Sequence, residues 1–280
     1  MKKNNSLLLS TPYILWMLLF TLIPLGVVGY YALTDVGTGA FTFQNIENLI
    51  LYLPALWRSI LYSFISALIC LVIGYPVAYY MAQCKATTQK FLYMLVMLPM
   101  CMSFLLRTLA WVGLLQDTGI INTFLKNLGF PHAPGEPVLR LIRTPGAVIL
   151  GMVYNYLPYM ILPLYSIIVK IDHRLIEAAE DLGCTPRKVF SKVILPLSMP
   201  GILTGMTMVF VPAVSTFYIS NKLGNTETVL IGDIIERQFK QGDNANMGAA
   251  LSLLLMLLVF VCTWIINRFG GRDEEGAVIV

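Results

Sequence analysis

Residues 147–169 read AVILGMVYNYLPYMILPLYSIIV, a run of 23 residues without a charged side chain. About 20 apolar residues in a helix are needed to cross the hydrocarbon core of a bilayer. In lipid, a run of this length satisfies its own backbone hydrogen bonds as a helix. The stretch therefore predicts a membrane-spanning helix. The composition agrees, because 57% of the 280 residues are hydrophobic and only 12% are charged, about half the charged share of soluble domains.

Six stretches of this kind occur along the chain, at residues 13–33, 60–81, 91–115, 147–169, 194–220 and 247–266. The first follows Lys2 and Lys3 and could be mistaken for a signal peptide, but its length and the lack of an A-x-A-like cleavage site indicate a retained span. Arg107 is the one acid or base inside the six stretches. A buried arginine is costly unless it is paired, so we expect a carboxylate or carbonyl partner near the outer mouth. The predicted fold is an all-α integral membrane protein with six transmembrane helices in one domain, residues 1–280.

The distribution of Lys and Arg predicts the orientation. With the N-terminus inside, the inner segments hold eleven of these residues: Lys2, Lys3, Lys85, Lys90, Lys170, Arg174, Arg187, Lys188, Lys192, Arg268 and Arg272. The longer outer loops hold seven. We therefore expect both termini to be cytoplasmic. Residues 170–193 then form the one cytoplasmic loop long enough to carry structure, where a cytoplasmic partner would dock.

Several functional classes are disfavoured by what the sequence lacks. The net charge of +4 is small and dispersed, which suits contact with membrane lipid and does not suggest nucleic acid. The five cysteines form no CxxC pair and there are only two histidines, so we expect no metal site. An HExxH or GxSxG motif is missing, which argues against a membrane enzyme with catalytic residues. The spans hold no acid, which argues against an ion-coupled secondary transporter, although that class stays as an alternative.

The loop between the fourth and fifth spans predicts a pair of short helices. Residues 170–200 read KIDHRLIEAAEDLGCTPRKVFSKVILPLSMP. Asp172 is a good N-cap for a helix beginning at residue 173 or 174, and Gly183 supplies a stop. Thr185 and Pro186 then restart a helix, with proline in the first turn, where its missing N–H costs nothing.

The first short helix should be amphipathic. Leu175, Ala178, Ala179 and Leu182 fall on one face, and the acidic Glu177, Glu180 and Asp181 fall on the other. Glu177 and Asp181 are like charges four residues apart, which is mildly destabilising in isolation. A basic groove on a partner would explain them. An ordinary amphipathic connector lying on the membrane surface is the alternative that these residues leave open.

The spacing of the motif residues in this loop is similar to that of a known family. Glu177-Ala178-Ala179, then Gly183, then Val193-Ile194-Leu195-Pro196 resembles the EAA loop of ATP-binding-cassette importer permeases, with Val193 where that family has isoleucine. The resemblance implies that the first helix is a coupling helix seated in a cleft of a separate ATPase. It assigns the contact to Glu177, Ala178, Ala179, Asp181 and Gly183. It also implies a second permease subunit, two copies of the ATP-binding subunit and an extracytoplasmic substrate-binding protein. ATP and magnesium would be bound by the ATPase, since this chain has no G-x-x-x-x-G-K-[ST] motif, and we expect no cofactor here.

The resemblance extends to the spermidine/putrescine permeases within that family. Matching segments include Tyr75-Pro76-Val77-Ala78-Tyr79-Tyr80, Leu105-Leu106-Arg107, Leu157-Pro158-Tyr159-Met160 and Phe217-Tyr218-Ile219-Ser220. It implies a polyamine substrate, with another small solute as the alternative. Relatives of this type tend to have an acidic residue after the last segment, whereas this chain has Asn221 and then Lys222.

A polyamine is a flexible multi-cation, and its recognition calls for aromatic faces and carboxylates. Phe217 and Tyr218 at the end of the fifth span are the first candidates, because the resemblance and the chemistry agree there. Further candidates along the substrate path are Trp111, Asp117, Tyr154 and Tyr159. Each aromatic ring could equally be a packing residue or part of an interfacial belt. The outer loops hold eight acids against seven bases, so their charge does not identify a cationic solute.

Overall fold

The computed structural model describes residues 11–35, 37–130, 136–240 and 244–269. Over these residues the chain is helical, with one isolated antiparallel bridge between Thr34 and Phe41. Six helices are long and apolar enough to cross a membrane: Thr11–Ala32, Gln44–Gln83, Phe104–Asn127, Pro145–Ile168, Pro186–Val214 and Ala245–Ile266. The predicted all-α fold with six spans is confirmed. Lys2, Lys3 and Arg272, which entered the orientation argument, lie outside the described residues.

Within and between these spans, the individual α-helices have the following bounds: Ile23–Ala32, Gln44–Glu47, Leu53–Gln83, Ala86–Met97, Phe104–Leu115, Ile120–Asn127, Pro145–Ile168, His173–Asp181, Pro186–Val189, Leu195–Val214, Tyr218–Leu223, Ile231–Lys240 and Ala245–Phe269. Single π-helical turns at Leu18–Leu22 and Phe190–Ile194 join neighbouring helices. Short 3-10 turns occur at Asn48–Tyr52, Leu98–Cys101 and Thr226–Thr228.

The second, fourth and fifth spans cross around Met160, which is completely buried. A Cβ atom added to Gly74 on the second span would lie 3.1 Å from Met160 Cγ. One added to Gly205 on the fifth span would lie 2.7 Å from Met160 Sδ. Both glycines therefore let a neighbouring helix approach the methionine closely, which is a common use of small residues between membrane helices.

The third predicted span is wrong as one helix over residues 91–115. The chain forms Ala86–Met97, then the 3-10 turn Leu98–Cys101, and a new helix begins only at Phe104. Pro99 lacks the N–H that would continue the α-helical ladder, and Met102 adopts an extended backbone conformation. The break divides this segment into two helices, Ala86–Met97 and Phe104–Leu115.

The fifth span also ends earlier than predicted, at Val214 rather than at residue 220. Pro212 in the last turn provides no backbone donor, and the Thr216 amide turns to the Ala213 carbonyl at 3.3 Å. Gly232 packs onto this break, since a Cβ atom at that position would lie only 2.5 Å from the Thr216 carbonyl oxygen. The next helix begins at Tyr218.

The connection before the sixth span folds back into the bundle. It contains the amphipathic helix Ile231–Lys240, whose first residue is completely buried. The amide of Ile231 donates to Ser59 Oγ on the second span at 2.8 Å. The guanidinium of Arg58 donates to the carbonyl of Glu227 in the same connection. These bonds hold the amphipathic helix and the turn before it against the second span.

Candidate coupling surface and solute cavity

The helix His173–Asp181 has the ends that its sequence predicts. Asp172 Oδ1 accepts a hydrogen bond from the Arg174 amide at 3.0 Å, which caps the N-terminus. Gly183 has φ +79°, its amide donates to the Glu180 carbonyl at 2.8 Å, and the Cys184 amide donates to the Ala179 carbonyl at 3.1 Å. This pair of bonds is the Schellman motif, which favours glycine at the left-handed position.

The exposed face of this helix combines acidic and apolar side chains. Ile176 turns inward and lines a small cavity against the second, fourth and fifth spans, while Leu182 is 85% exposed. The apolar face expected from the sequence is thus divided. Ala179 is partly buried, whereas the other three members point outward with the acidic residues. We call the following exposed residues the coupling surface: Leu175, Glu177, Ala178, Glu180, Asp181, Leu182 and Gly183.

The coupling surface is tied to the bundle by an aromatic contact. The chain continues from it into the fifth span, Pro186–Val214. The ring of Phe190 meets the rings of Tyr75 and Tyr79 edge-on, at centroid distances of 5.5 and 6.0 Å. The hydroxyl of Tyr75 lies 2.8 Å from Ser198 Oγ, also on the fifth span. The second and fifth spans are therefore joined at the end nearest the coupling surface.

A second feature lies at the opposite end of the fifth span, where the helix breaks. A cavity of about 740 Å³ opens there, and we call it the solute cavity. It is lined by Leu105, Phe217, Tyr218, Asn221, Lys222, Asp233, Glu236, Arg237 and Lys240. An apolar cavity of about 500 Å³ adjoins it between the fifth and sixth spans and shares Phe217 and Glu236.

Both lysine ammonium groups at the solute cavity have partners within the chain. Lys222 Nζ lies 5.9 Å from the centre of the Tyr218 ring, within the range of a cation–π contact. Lys240 Nζ lies 2.5 Å from Glu236 Oε1. The ring and the carboxylate are thus both positioned to accept an ammonium group.

Asp233 is the most deeply buried charged residue at this cavity, at 5% exposure. Its Oδ2 accepts a hydrogen bond from the Leu230 amide at 2.9 Å, whereas Oδ1 is buried and has no hydrogen-bond partner among the described residues. Burial raises the pKa of this carboxyl, and the charge of Glu236 adds to that shift. The Leu230 amide, the hydroxyl of Ser220 and the charge of Arg237 act in the opposite direction on the same pKa.

The structure brings together only part of the predicted substrate path. Phe217 and Tyr218 border the solute cavity, as does Asn221. Trp111 and Tyr154 instead form an edge-on pair at 5.3 Å, and Tyr159 lies 6.3 Å from Tyr156. Asp117 is exposed in the turn after the helix Phe104–Leu115. Trp111, Asp117, Tyr154 and Tyr159 do not line this cavity, so their assignment to the substrate path stays a prediction.

Sequence reasoning missed the contribution of the amphipathic helix. Asp233, Glu236, Arg237 and Lys240 follow the spacing i, i+3, i+4 and i+7, which places them on one face of a helix. That periodicity was visible in the sequence. The closeness of this face to Phe217 and Tyr218 was not, because it depends on how the connection folds back onto the bundle.

Within the part of the chain that the structure describes, two guanidinium nitrogens of Arg107 lack the expected partner. Arg107 is 6% exposed, and its Nε and Nη1 are buried without a hydrogen bond to any described residue. The expectation assumed one continuous helix that would carry Arg107 to the outer mouth. Because the helix restarts at Phe104, Arg107 lies one turn from its beginning and remains inside the bundle.

Residues 74–272 match the family described as binding-protein-dependent transport system inner membrane component. The chain belongs to this family. The permease is 40% identical to the spermidine/putrescine transport system permease protein PotB of Haemophilus influenzae, over 88% of both chains. It is 37% identical to PotB of Escherichia coli, over 93% of this chain and 97% of that one. The inner membrane ABC transporter permease protein YdcU of E. coli is 31% identical, over 88% and 82% of the two chains.

Solved structures agree on the fold. A bacterial ABC transporter involved in the import of the acidic polysaccharide alginate superposes with a TM-score of 0.79 at 18% identity, over 97% of both chains. The MetNI methionine ABC transporter superposes with a TM-score of 0.59 at 19% identity, over 79% of this chain and 95% of that one. With the six apolar helices, the family membership makes this chain a multi-pass inner-membrane permease subunit of an ATP-binding-cassette importer.

Proposed function

We propose that this permease imports polyamines such as spermidine and putrescine. The observation that carries the proposal is the solute cavity, where Phe217 and Tyr218 stand beside carboxylates and an ammonium group already lies over the Tyr218 ring. An aromatic ring of this kind attracts a cation through its quadrupole. The relatives named as spermidine/putrescine permeases support the same substrate.

The assembly that we propose has four kinds of subunit. This chain and a second permease form the pathway, two copies of a separate ATPase bind ATP and magnesium, and an extracytoplasmic protein delivers the solute. The coupling surface supports contact with the ATPase, because the acidic Glu177 and Asp181 and the apolar Leu182 are exposed together. With both termini in the cytoplasm, this surface faces the ATPase and the solute cavity faces the delivery protein.

An anionic solute is the second candidate, and one observation favours it. The solute cavity is bordered by three basic residues, Lys222, Arg237 and Lys240, against two acidic ones. All three basic residues are exposed, whereas Asp233 is buried and Glu236 is partly buried. We favour a cation because the carboxylates and Tyr218 are the less hydrated groups, where an electrostatic contact is stronger.

Uptake by cells with and without this chain tests the proposal. Labelled spermidine and putrescine should accumulate only with the chain, and a labelled dicarboxylate should not. Phe217→Ala with Tyr218→Ala should lower uptake roughly five- to thirty-fold, from about 1–2 kcal/mol of lost cation–π attraction. Tyr218→Phe should be milder, since it keeps the ring. Dicarboxylate uptake without polyamine uptake would overturn the substrate, and full uptake by the double alanine variant would show that the two rings only pack.

A further inference from the structure

Resting on the proposed polyamine substrate, we infer that Asp233 and Glu236 bind the ammonium groups of the solute in the cavity, and that Lys240 competes for Glu236. These two are the acidic side chains among the residues that line the solute cavity. Asn221, at the end of the Phe-Tyr-x-Ser segment, borders the same cavity but carries no charge. A carboxylate for a cation held there must therefore come from the amphipathic helix Ile231–Lys240.

The two carboxylate oxygens of Asp233 differ in their hydrogen bonding. Oδ2 accepts the Leu230 amide at 2.9 Å, as an acidic residue in the first turn of a helix often does. That bond accounts for an aspartate at this position. Oδ1 is buried and has no hydrogen bond of normal geometry among the described residues, although the Ser220 hydroxyl lies close enough to lower the pKa of this carboxyl. The side chain is only 5% exposed and borders the solute cavity. A buried acceptor is costly when it lacks a donor, and an ammonium group in the cavity would supply one once the carboxylate turns toward the cavity.

Glu236 shows that this face accepts an ammonium group. Lys240 Nζ lies 2.5 Å from its Oε1, yet the lysine side chain is 74% exposed and the glutamate side chain only 19% exposed. An exposed lysine gains little from such a pair and can return to water at small cost. The glutamate would keep its position on the cavity wall. A solute ammonium can therefore replace Lys240 without exposing an unpaired carboxylate.

The two carboxylates also have a suitable spacing. Asp233 and Glu236 are three residues apart on one helix, where Cβ atoms lie about 5–6 Å from each other. Amines joined by a short alkyl chain can reach both carboxylates at once. Tyr218, across the cavity, would then face the alkyl chain or a further ammonium group. A monoamine gains only one of these contacts, so the site should favour solutes with more than one amine.

Equilibrium binding of labelled spermidine to the purified assembled transporter, without the delivery protein, tests the inference. Asp233→Asn and Glu236→Gln should each weaken binding on the order of ten-fold, the usual size of a charge-assisted hydrogen bond. Asparagine at position 233 can still accept the Leu230 amide. Lys240→Gln should instead tighten binding, because the competing ammonium is removed. Glu227→Gln is the matched control, since this glutamate is exposed and its side chain does not line the solute cavity.

The inference requires spermidine affinity to change in opposite directions in the two variants, falling in Glu236→Gln and rising in Lys240→Gln. If their ion pair only stabilises the amphipathic helix, breaking it from either side should change binding in the same direction, and that result would remove Glu236 from the site. Wild-type binding by Asp233→Asn would remove Asp233. If that variant does not assemble, the Glu236 and Lys240 variants still decide the inference. A wild-type transporter that neither binds nor imports spermidine would refute the proposed substrate itself, which is a different outcome.

Discussion

Replacing Gly183 by valine should weaken the hold of this permease on its ATPase through backbone strain alone. Gly183 has φ +79°, and a Cβ atom added there would meet nothing within 4 Å. The substitution therefore creates no clash. The left-handed conformation costs an L-residue about 1–2 kcal/mol, and a β-branched side chain is among the least tolerant. If the ATPase binds only when residue 183 adopts the left-handed conformation that ends this helix, the apparent affinity of the ATPase for the permease should fall roughly five- to thirty-fold.

The chain contains a matched control for this strain. Gly129 ends the helix Ile120–Asn127 with φ +82° and equally open surroundings. Its amide donates to the Lys126 carbonyl at 3.0 Å, and the next amide, of Phe130, donates to the Leu125 carbonyl at 3.3 Å. Gly129→Val should thus strain the same motif by the same amount, on the side of the membrane that we assign to the outside.

The assay is co-purification of the ATPase with each variant over a range of ATPase concentrations, followed by ATP-dependent uptake. Gly183→Val should lose ATPase and uptake together, and Gly183→Asn should lose less, because asparagine tolerates the left-handed region. Gly129→Val should retain the ATPase. Equal loss in both valine variants would indicate general instability. Wild-type retention by Gly183→Val would refute the assignment of this helix to coupling.

Three further predictions follow from the orientation, the buried arginine and the buried aspartate. A cysteine introduced at Glu227 should react with a membrane-impermeant reagent added outside, and one at Thr185 should not; the reverse pattern would invert the topology. Arg107→Met should unfold at the same or a higher temperature, because it removes buried donors that cost about 1–3 kcal/mol each when unpaired; a lower temperature would reveal a partner that stabilises the charge. Burial raises the pKa of Asp233, so acidification protonates it at a higher pH than an exposed aspartate, and spermidine binding should weaken as pH falls from neutral. Asp233→Asn should flatten that pH profile, and an unchanged profile would show that another group titrates.

Local signals in the sequence were enough to predict the spans and the loop helix. An apolar run of 23 residues has few ways to satisfy its backbone in lipid other than a helix. The ends of the helix His173–Asp181 are likewise set by neighbours in sequence, through the Asp172 cap and the left-handed Gly183. These features need no information about distant parts of the chain.

The breaks in the third and fifth spans could not be predicted in the same way. Pro99 lies at a break, yet Pro76, Pro158 and Pro163 lie inside continuous helices. A proline removes one donor wherever it occurs, and packing from neighbouring helices decides whether the helix continues. The carboxylates at the solute cavity were missed for a related reason, because a contact across the fold, between Gly232 and the break, brings them there.

The fifth span connects the two surfaces for which we propose functions. It begins next to the coupling surface, where Phe190 is held by two tyrosine rings of the second span. At its middle, Gly205 leaves almost no space between its helix and Met160. A displacement of the coupling surface is therefore difficult to absorb by bending at this crossing, since a packed core resists gradual deformation. Beyond this crossing, Pro212 removes one helical hydrogen bond and the helix ends at Val214, immediately before Phe217 and Tyr218. We expect motion at the ATPase to be converted there into a change in the wall of the solute cavity.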